Sequence, residues 1–376
     1  MIVKGDILQW SLLWTATAVT TYAQIINGSI VVNSTTGVHL AYLDTGPPAN
    51  TSSYTTIFAI AGMVYTNLIF QKVMSVASSN SVRFVAIQRR PFPGSTPFTD
   101  EELNVTLTGG SGDEQRNFEI EMRGHEIASF VDIFIQNYNL PRISSDGKSG
   151  GASLLGWSVG GGYVVAAIAS IGTLPVDAQT RLGAYVRSMI VYEAAPIALG
   201  LPTPSQNWAP LVDTTIPEDL QLPAFGQWCT GYFDHENFTL SSVHDLDSLS
   251  WVLTAPEYVP TFYTIPVEEL EEIARYGSDA ATDLPFLFFF ANQLNAVYRK
   301  AFNDEGIGAT LPLMKRSFLC GTKTGAFAVS GLWAVQDDQA ENGTGTTVEY
   351  KLVPGGNHFM IWDNPETIFG AFMDLA

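Results

Sequence analysis

Ala152-Ser153-Leu154-Leu155-Gly156-Trp157-Ser158-Val159-Gly160-Gly161-Gly162-Tyr163-Val164-Val165-Ala166-Ala167-Ile168 decides the fold of this chain. Its first six residues form a short run that is almost wholly apolar, as in a strand buried on both faces of a sheet. Residues 163–171 are apolar over a length that suits a buried helix. No linker separates the two, so the backbone must turn sharply from strand to helix. Gly156 and Gly160 stand two positions before and two after Ser158, where the missing Cβ atoms remove clashes that such a turn would impose. The turn lifts the Ser158 hydroxyl out of the sheet and sets it at a helix N-terminus, whose dipole favours a developing oxyanion. Ser158 is therefore the candidate nucleophile.

Outward from this turn, strand and helix patterns alternate. Residues 29–33 and 38–45 flank Thr36-Gly37 and predict a hairpin. Residues 56–61 and 82–88 predict short buried strands joined through an amphipathic stretch at 68–77. The polar, Gly-rich segment 100–116 reads as a surface loop, whereas 118–138 has helical spacing through Ile127, Phe130, Val131 and Phe134. Strands are expected at 186–192, 317–321 and 347–353, and helices at 327–339 and 365–375, the last capped by Asp363 or Asn364. Eight strands alternating with helices predict an α/β fold with a mostly parallel central sheet and helices on both faces. Between 197 and 313, prolines from Pro202 to Pro266 break up short, aromatic-rich helical pieces. This segment is expected to be a helical cap inserted between the sixth and seventh strands, leaving 24–196 and 314–376 as the core. Such insertions emerge at the carboxyl edge of the sheet, so the cap should cover Ser158. Trp208, Trp228, Phe233, Trp251 and Tyr263 are its candidates for facing a substrate.

Composition narrows the partners. Acidic residues outnumber basic ones by 37 to 18, a net charge of −19, which argues against nucleic acid and against anionic membranes. Residues 1–23 combine Lys4, an apolar run and a small-residue end at Ala23, as a secretory signal peptide does, with no stable membrane insertion expected. Sequons at Asn27, Asn33, Asn50, Asn104, Asn237 and Asn342 agree with a secreted glycoprotein and call for exposed loops. Only two cysteines are present, Cys229 and Cys320. They allow one disulfide or two buried thiols and exclude a Cys-rich metal site.

Five histidines are available to serve Ser158 as a base. His358, in Pro354-Gly355-Gly356-Asn357-His358, directly follows the last predicted strand and is the best placed. His39 falls on an early strand and His125 at a helix start, both expected to be structural or exposed, while His235 and His244 belong to the cap.

These stretches together resemble the α/β-hydrolase superfamily over nearly the whole chain after residue 23, and are similar to its capped, secreted fungal-type members. Ile60-Ala61-Gly62-Met63 stands where the family has His-Gly-X after its third strand, with Ala61 in place of the usual His. The run from Gln88 to Pro97 resembles the family's Arg-Gly-x-Gly-x-Ser turn after the fourth. The resemblance implies an oxyanion hole from two backbone N–H groups, those of Val159 and Met63, with Gly62 or Val64 as alternative donors. It also implies a carboxylate after the seventh strand, but Thr322-Lys323-Thr324-Gly325 supplies none. A minority of members carry the acid after the sixth strand, where Glu193 lies 35 residues beyond Ser158. Glu193 is favoured, with Asp337 and Asp338 as rivals further along the chain. The implied activity is hydrolysis of an ester, thioester, lactone or amide of a small-molecule substrate through an acyl-serine, without cofactor or metal. A carboxylic ester is first among these, with peptidase and lactonase activity also open. The competing expectation is a lyase-like or ligand-binding member in which Ser158 does not acylate.

Overall fold

The computed structural model describes residues 25–49, 51–277 and 280–376. The proposed leader and the sequon at Asn50 lie outside the described residues. One eight-stranded sheet runs through the molecule: β1 (Ile26–Asn33), β2 (Val38–Asp44), β3 (Thr56–Ile60), β4 (Arg83–Gln88), β5 (Ala152–Trp157), β6 (Val186–Tyr192), β7 (Lys315–Gly321) and β8 (Val348–Val353). Its spatial order is β1-β2-β4-β3-β5-β6-β7-β8. The hairpin β1–β2 is antiparallel and β2 joins β4 antiparallel, while every pairing from β4 to β8 is parallel. Strands β3 to β6 are buried along their whole length, which is why they read as continuous apolar runs rather than alternating ones.

Helices cover both faces. Gly160–Ser170 continues β5 and packs on Asp113–Tyr138 and Ala291–Asn303, while Gln71–Ser79 packs on Pro365–Leu375. Gly124 makes one of these approaches so close that a Cβ there would lie 2.4 Å from the Ala166 carbonyl oxygen. Tyr42, Phe58, Phe130 and Phe134 join the sheet to Asp113–Tyr138 through edge-to-face rings with centroids 5.3 to 6.3 Å apart, a geometry favoured by the ring quadrupoles. Asn364 caps the last helix by accepting from the Thr367 N–H.

The segment read as a loop at 100–116 is largely helical. Asp100–Thr108 forms a helix with Thr99 and Glu102 as a reciprocal capping box, and Asp113 already begins the long helix. Polarity and the glycines at 109 and 110 hide a helix whose start carries the Thr-x-x-Glu pattern of a capping box. The five described sequon asparagines are all exposed, yet Asn27 and Asn33 lie on β1, Asn104 on a helix and Asn342 at a helix end rather than in loops.

Glu102 also anchors a charge cluster. Its carboxylate meets Arg90 at 2.7 Å and Arg123 at 2.8 Å, and Arg123 meets Glu126 at 2.8 Å and Glu119 at 3.2 Å. Partial burial opposes ionisation of Glu102, but the Arg90 hydrogen bond, the Arg123 charge and the Thr99 N–H outweigh it and hold the carboxyl down to about 2. A depressed folded value contributes stability above the ordinary carboxyl range that is lost as pH falls toward 2. Burial pushes Glu119 and Glu126 the other way, so they take up protons first. Glu102→Gln should therefore flatten the loss of stability between about pH 4.5 and about 2, as read by urea unfolding across that range. An acid limb as steep as that of the parent protein would contradict this role.

Candidate active site

Strands β5 and β6 end level with each other, and β7 and β8 run two residues further on the same side. Trp157 pairs with Tyr192, Tyr192 with Leu319, and Gly321 with Val353, so the turns after β5, β6, β7 and β8 gather at one carboxyl edge, where ligands bind in such sheets.

Ser158 follows β5 directly and has φ of 57°, a left-handed conformation that costs a non-glycine residue about 1–3 kcal/mol. Its N–H donates to the Tyr192 carbonyl at 2.8 Å, and its own carbonyl accepts from Gly161 at 2.9 Å. The flanking glycines are sterically required. A Cβ on Gly156 would lie 2.3 Å from the Gly160 carbonyl oxygen, and one on Gly160 would lie 2.3 Å from that of Ile60.

Glu193 follows β6, also with a left-handed φ of 59°, and its side chain is wholly buried. Its Oε2 lies 3.1 Å from His358 Nδ1. The same oxygen accepts from the Thr324 hydroxyl, and Oε1 accepts from the Gly321 N–H at 2.5 Å. His358 follows the turn after β8 and is 3 % exposed. Its carbonyl accepts from Trp157 Nε1 at 3.1 Å, and its ring packs against Trp157 at 5.0 Å and Phe327 at 4.9 Å between centroids. Asn357 braces this turn, donating to the Thr230 carbonyl at 3.1 Å and Thr261 Oγ1 at 3.0 Å. Ser158 Oγ makes no hydrogen bond to a described residue; such contacts commonly tighten only in the Michaelis complex.

The rivals of Glu193 are engaged elsewhere. Asp338 meets Arg299 at 2.5 Å, Tyr298 at 2.9 Å and Asn342 at 3.0 Å, and Asp337 meets His244 at 2.8 Å. His39 bonds Thr96, His125 bonds Thr173, and His235 bonds the Thr324 carbonyl. Cys229 and Cys320 are free, buried thiols rather than a disulfide, with Sγ atoms near the Gly226 and Gly321 carbonyls.

Met63 and Val159 border Ser158 in one pocket. The Met63 loop touches the serine: a Cβ on Gly62 would lie 2.8 Å from Ser158 Cβ and 3.4 Å from its Oγ. Arg89 holds that loop by donating to the Gly62 carbonyl at 2.9 Å, and it forms a bidentate pair with Asp283, both contacts at 2.7 Å. Asp283 belongs to the segment between β6 and β7 and begins the helix Asp283–Phe289.

The pocket beside Ser158 has a volume of about 210 Å³. Apart from the serine, Thr203 and Asn207, its lining is apolar or aromatic. Trp208 and Trp228 line it, whereas Phe233, Trp251 and Tyr263 do not. Phe233 is buried against Trp228, Trp251 donates to the Leu246 carbonyl, and Tyr263 bonds Gln227. In their place stand Leu284, Leu287 and Phe288 of Asp283–Phe289, a run whose apolar character gave no sign of which face it would present. Among the described residues there is no group of side chains suited to hold a metal, and no helix is long and apolar enough to cross a membrane.

No family model matches the chain, and no curated protein matches it. Among solved structures it is similar to a bromoperoxidase from Bacillus anthracis, with 13 % identity and a TM-score of 0.52 over 93 % of this chain and 99 % of that one. It is also similar to epoxide hydrolase A from Mycobacterium thermoresistibile, with 14 % identity and a TM-score of 0.47 over 94 % and 98 % of the two chains. Strand order, the turn after β5 and the first of these likenesses agree that the chain has the α/β-hydrolase fold.

Proposed function

We propose that this protein is a serine hydrolase that cleaves a carboxylic ester with an apolar acyl or alkyl group, through an acyl-serine at Ser158. The observation that carries the reading is the buried Glu193–His358 pair at 3.1 Å, at the same sheet edge as the left-handed Ser158 turn. A buried carboxylate is costly without partners, and this one is aimed at an imidazole.

In this mechanism His358 Nε2 takes the Ser158 proton as Oγ attacks the carbonyl carbon. The Nδ1–H bond to Glu193 fixes the required tautomer and stabilises the imidazolium. The Met63 and Val159 N–H groups receive the oxyanion, His358 returns the proton to the leaving alcohol, and water repeats the sequence on the acyl-enzyme. The segment 197–313 acts as the cap, since the pocket takes most of its apolar lining from it. A secretory route, with residues 1–23 as leader, is part of this reading and rests on the leader-like composition and the six sequons of the sequence.

The test is a series of p-nitrophenyl esters from acetyl to dodecanoyl, with Ser158→Ala as background. kcat/KM is expected to rise to a medium chain length and fall once the acyl group outgrows a pocket of about 210 Å³. No turnover above the Ser158→Ala background on any ester would refute the reading.

A further inference from the structure

The turn after β7 holds no acid, yet it closes on the same carboxylate from the other side. The Gly321 N–H donates to Glu193 Oε1 and the Thr324 hydroxyl to Oε2, the oxygen that faces His358. Thr324 and Glu193 are both wholly buried, so no water can replace a missing donor cheaply. One bond from Gly321 leaves the carboxylate free to swing about Oε1. A second, from Thr324, fixes its plane and with it the direction offered to Nδ1.

Thr324 is itself held. Its carbonyl lies 2.7 Å from His235 Nε2, and His235 Nδ1 accepts from the Ser250 N–H at 2.9 Å. Both bonds form only if the His235 proton is on Nε2, and burial, which pushes His235 below the ordinary imidazole range, keeps that ring neutral. The neighbouring backbone is clamped as well, through the Phe233 N–H to the Lys323 carbonyl at 2.9 Å and the Lys323 N–H to the Gly356 carbonyl at 2.8 Å.

We propose that Thr324 is a positioning residue for the Glu193–His358 pair, and that His235, contributed by the segment between β6 and β7, holds Thr324 in place. The kinetic consequence rests on the reading of Ser158 as an acylating serine; the consequence for the imidazole does not.

Thr324→Val keeps the shape and removes the donor. It is expected to lower kcat on the best ester by about 10- to 100-fold, the loss of one bond to a charged group, with KM changed by less than about twofold. Thr324→Ser should restore most of kcat. His235→Leu should lower kcat more mildly, and the His235→Leu/Thr324→Val double variant should be no slower than Thr324→Val alone, because both act through one bond. Solvent exchange of the downfield Nδ1 proton of His358, assigned by its loss in His358→Gln, should be roughly tenfold faster in Thr324→Val and unchanged in Thr324→Ser. Should Thr324→Val fail to fold, Thr324→Ala carries the same expectations. A folded Thr324→Val protein with parental kcat and parental proton exchange would overturn the proposal. Absence of ester turnover in the parent protein would instead overturn the hydrolase reading, and the exchange measurement would still decide the role of Thr324.

Discussion

Glu193→Gln is expected to lower kcat by about 10³- to 10⁴-fold while leaving the fold intact, the magnitude typical of losing the carboxylate that orients a catalytic imidazole. The amide keeps the volume of the buried carboxyl, so packing around it barely changes. Its NH₂ can be turned toward Nδ1, which then accepts a hydrogen bond instead of donating one, so the ring proton sits on Nε2 and that nitrogen is useless as a base. The Gly321 N–H and the Thr324 hydroxyl would both favour a carbonyl oxygen, but two oxygens cannot be supplied by one amide. Asp338→Asn should retain nearly full activity, because that carboxylate is committed to Arg299, Tyr298 and Asn342. A fully active Glu193→Gln protein beside a dead Asp338→Asn protein would reverse the assignment.

Arg89→Met is expected to destabilise the protein by about 3–5 kcal/mol, because it leaves the Asp283 carboxylate buried without its partner. Arg89 and Asp283 are 3 % and 0 % exposed. The guanidinium lies between the rings of Phe92 and Tyr163, 4.6 and 4.9 Å from their centroids. Burial pushes the Asp283 carboxyl up, opposed chiefly by the Arg89 charge and hydrogen bond and more weakly by the Val64 N–H. Because Arg89 also grips the Gly62 carbonyl, the substitution should loosen the loop that carries Met63, and kcat should fall with stability. Arg89→Met combined with Asp283→Leu should recover much of the stability, since it removes the orphaned charge, but not kcat. Urea unfolding and ester kinetics on the two proteins measure both effects. A loss of less than about 1 kcal/mol in Arg89→Met would show that the pair does not hold this loop to the segment between β6 and β7.

Features with a local signature were legible in the sequence, and contacts without one were not. The β5 turn could be read because a strand, two glycines and a helix stand in one short stretch, and the left-handed φ of Ser158 is what that stretch demands. Glu193 could be singled out because the turn after the seventh strand holds no acid and the resemblance allows one after the sixth, and the structure puts His358 3.1 Å from it. Thr324 gave no such signal, since its hydroxyl reaches a carboxylate 131 positions away in the chain. The same holds for Asp283, which meets Arg89 across 194 positions. Of the five aromatic residues expected at the pocket, Trp208 and Trp228 reach it, while Phe233, Trp251 and Tyr263 satisfy other contacts. In a segment broken by prolines there is no periodicity from which to decide which ring faces inward.

Whether Ser158 is an activated nucleophile is decided by treating the folded protein with a fluorophosphonate and locating the adduct by peptide mass spectrometry. One modified serine, Ser158, is expected, with labelling abolished in Ser158→Ala and strongly slowed in His358→Gln. A folded protein that stays unmodified, or carries the adduct at another residue, would contradict it.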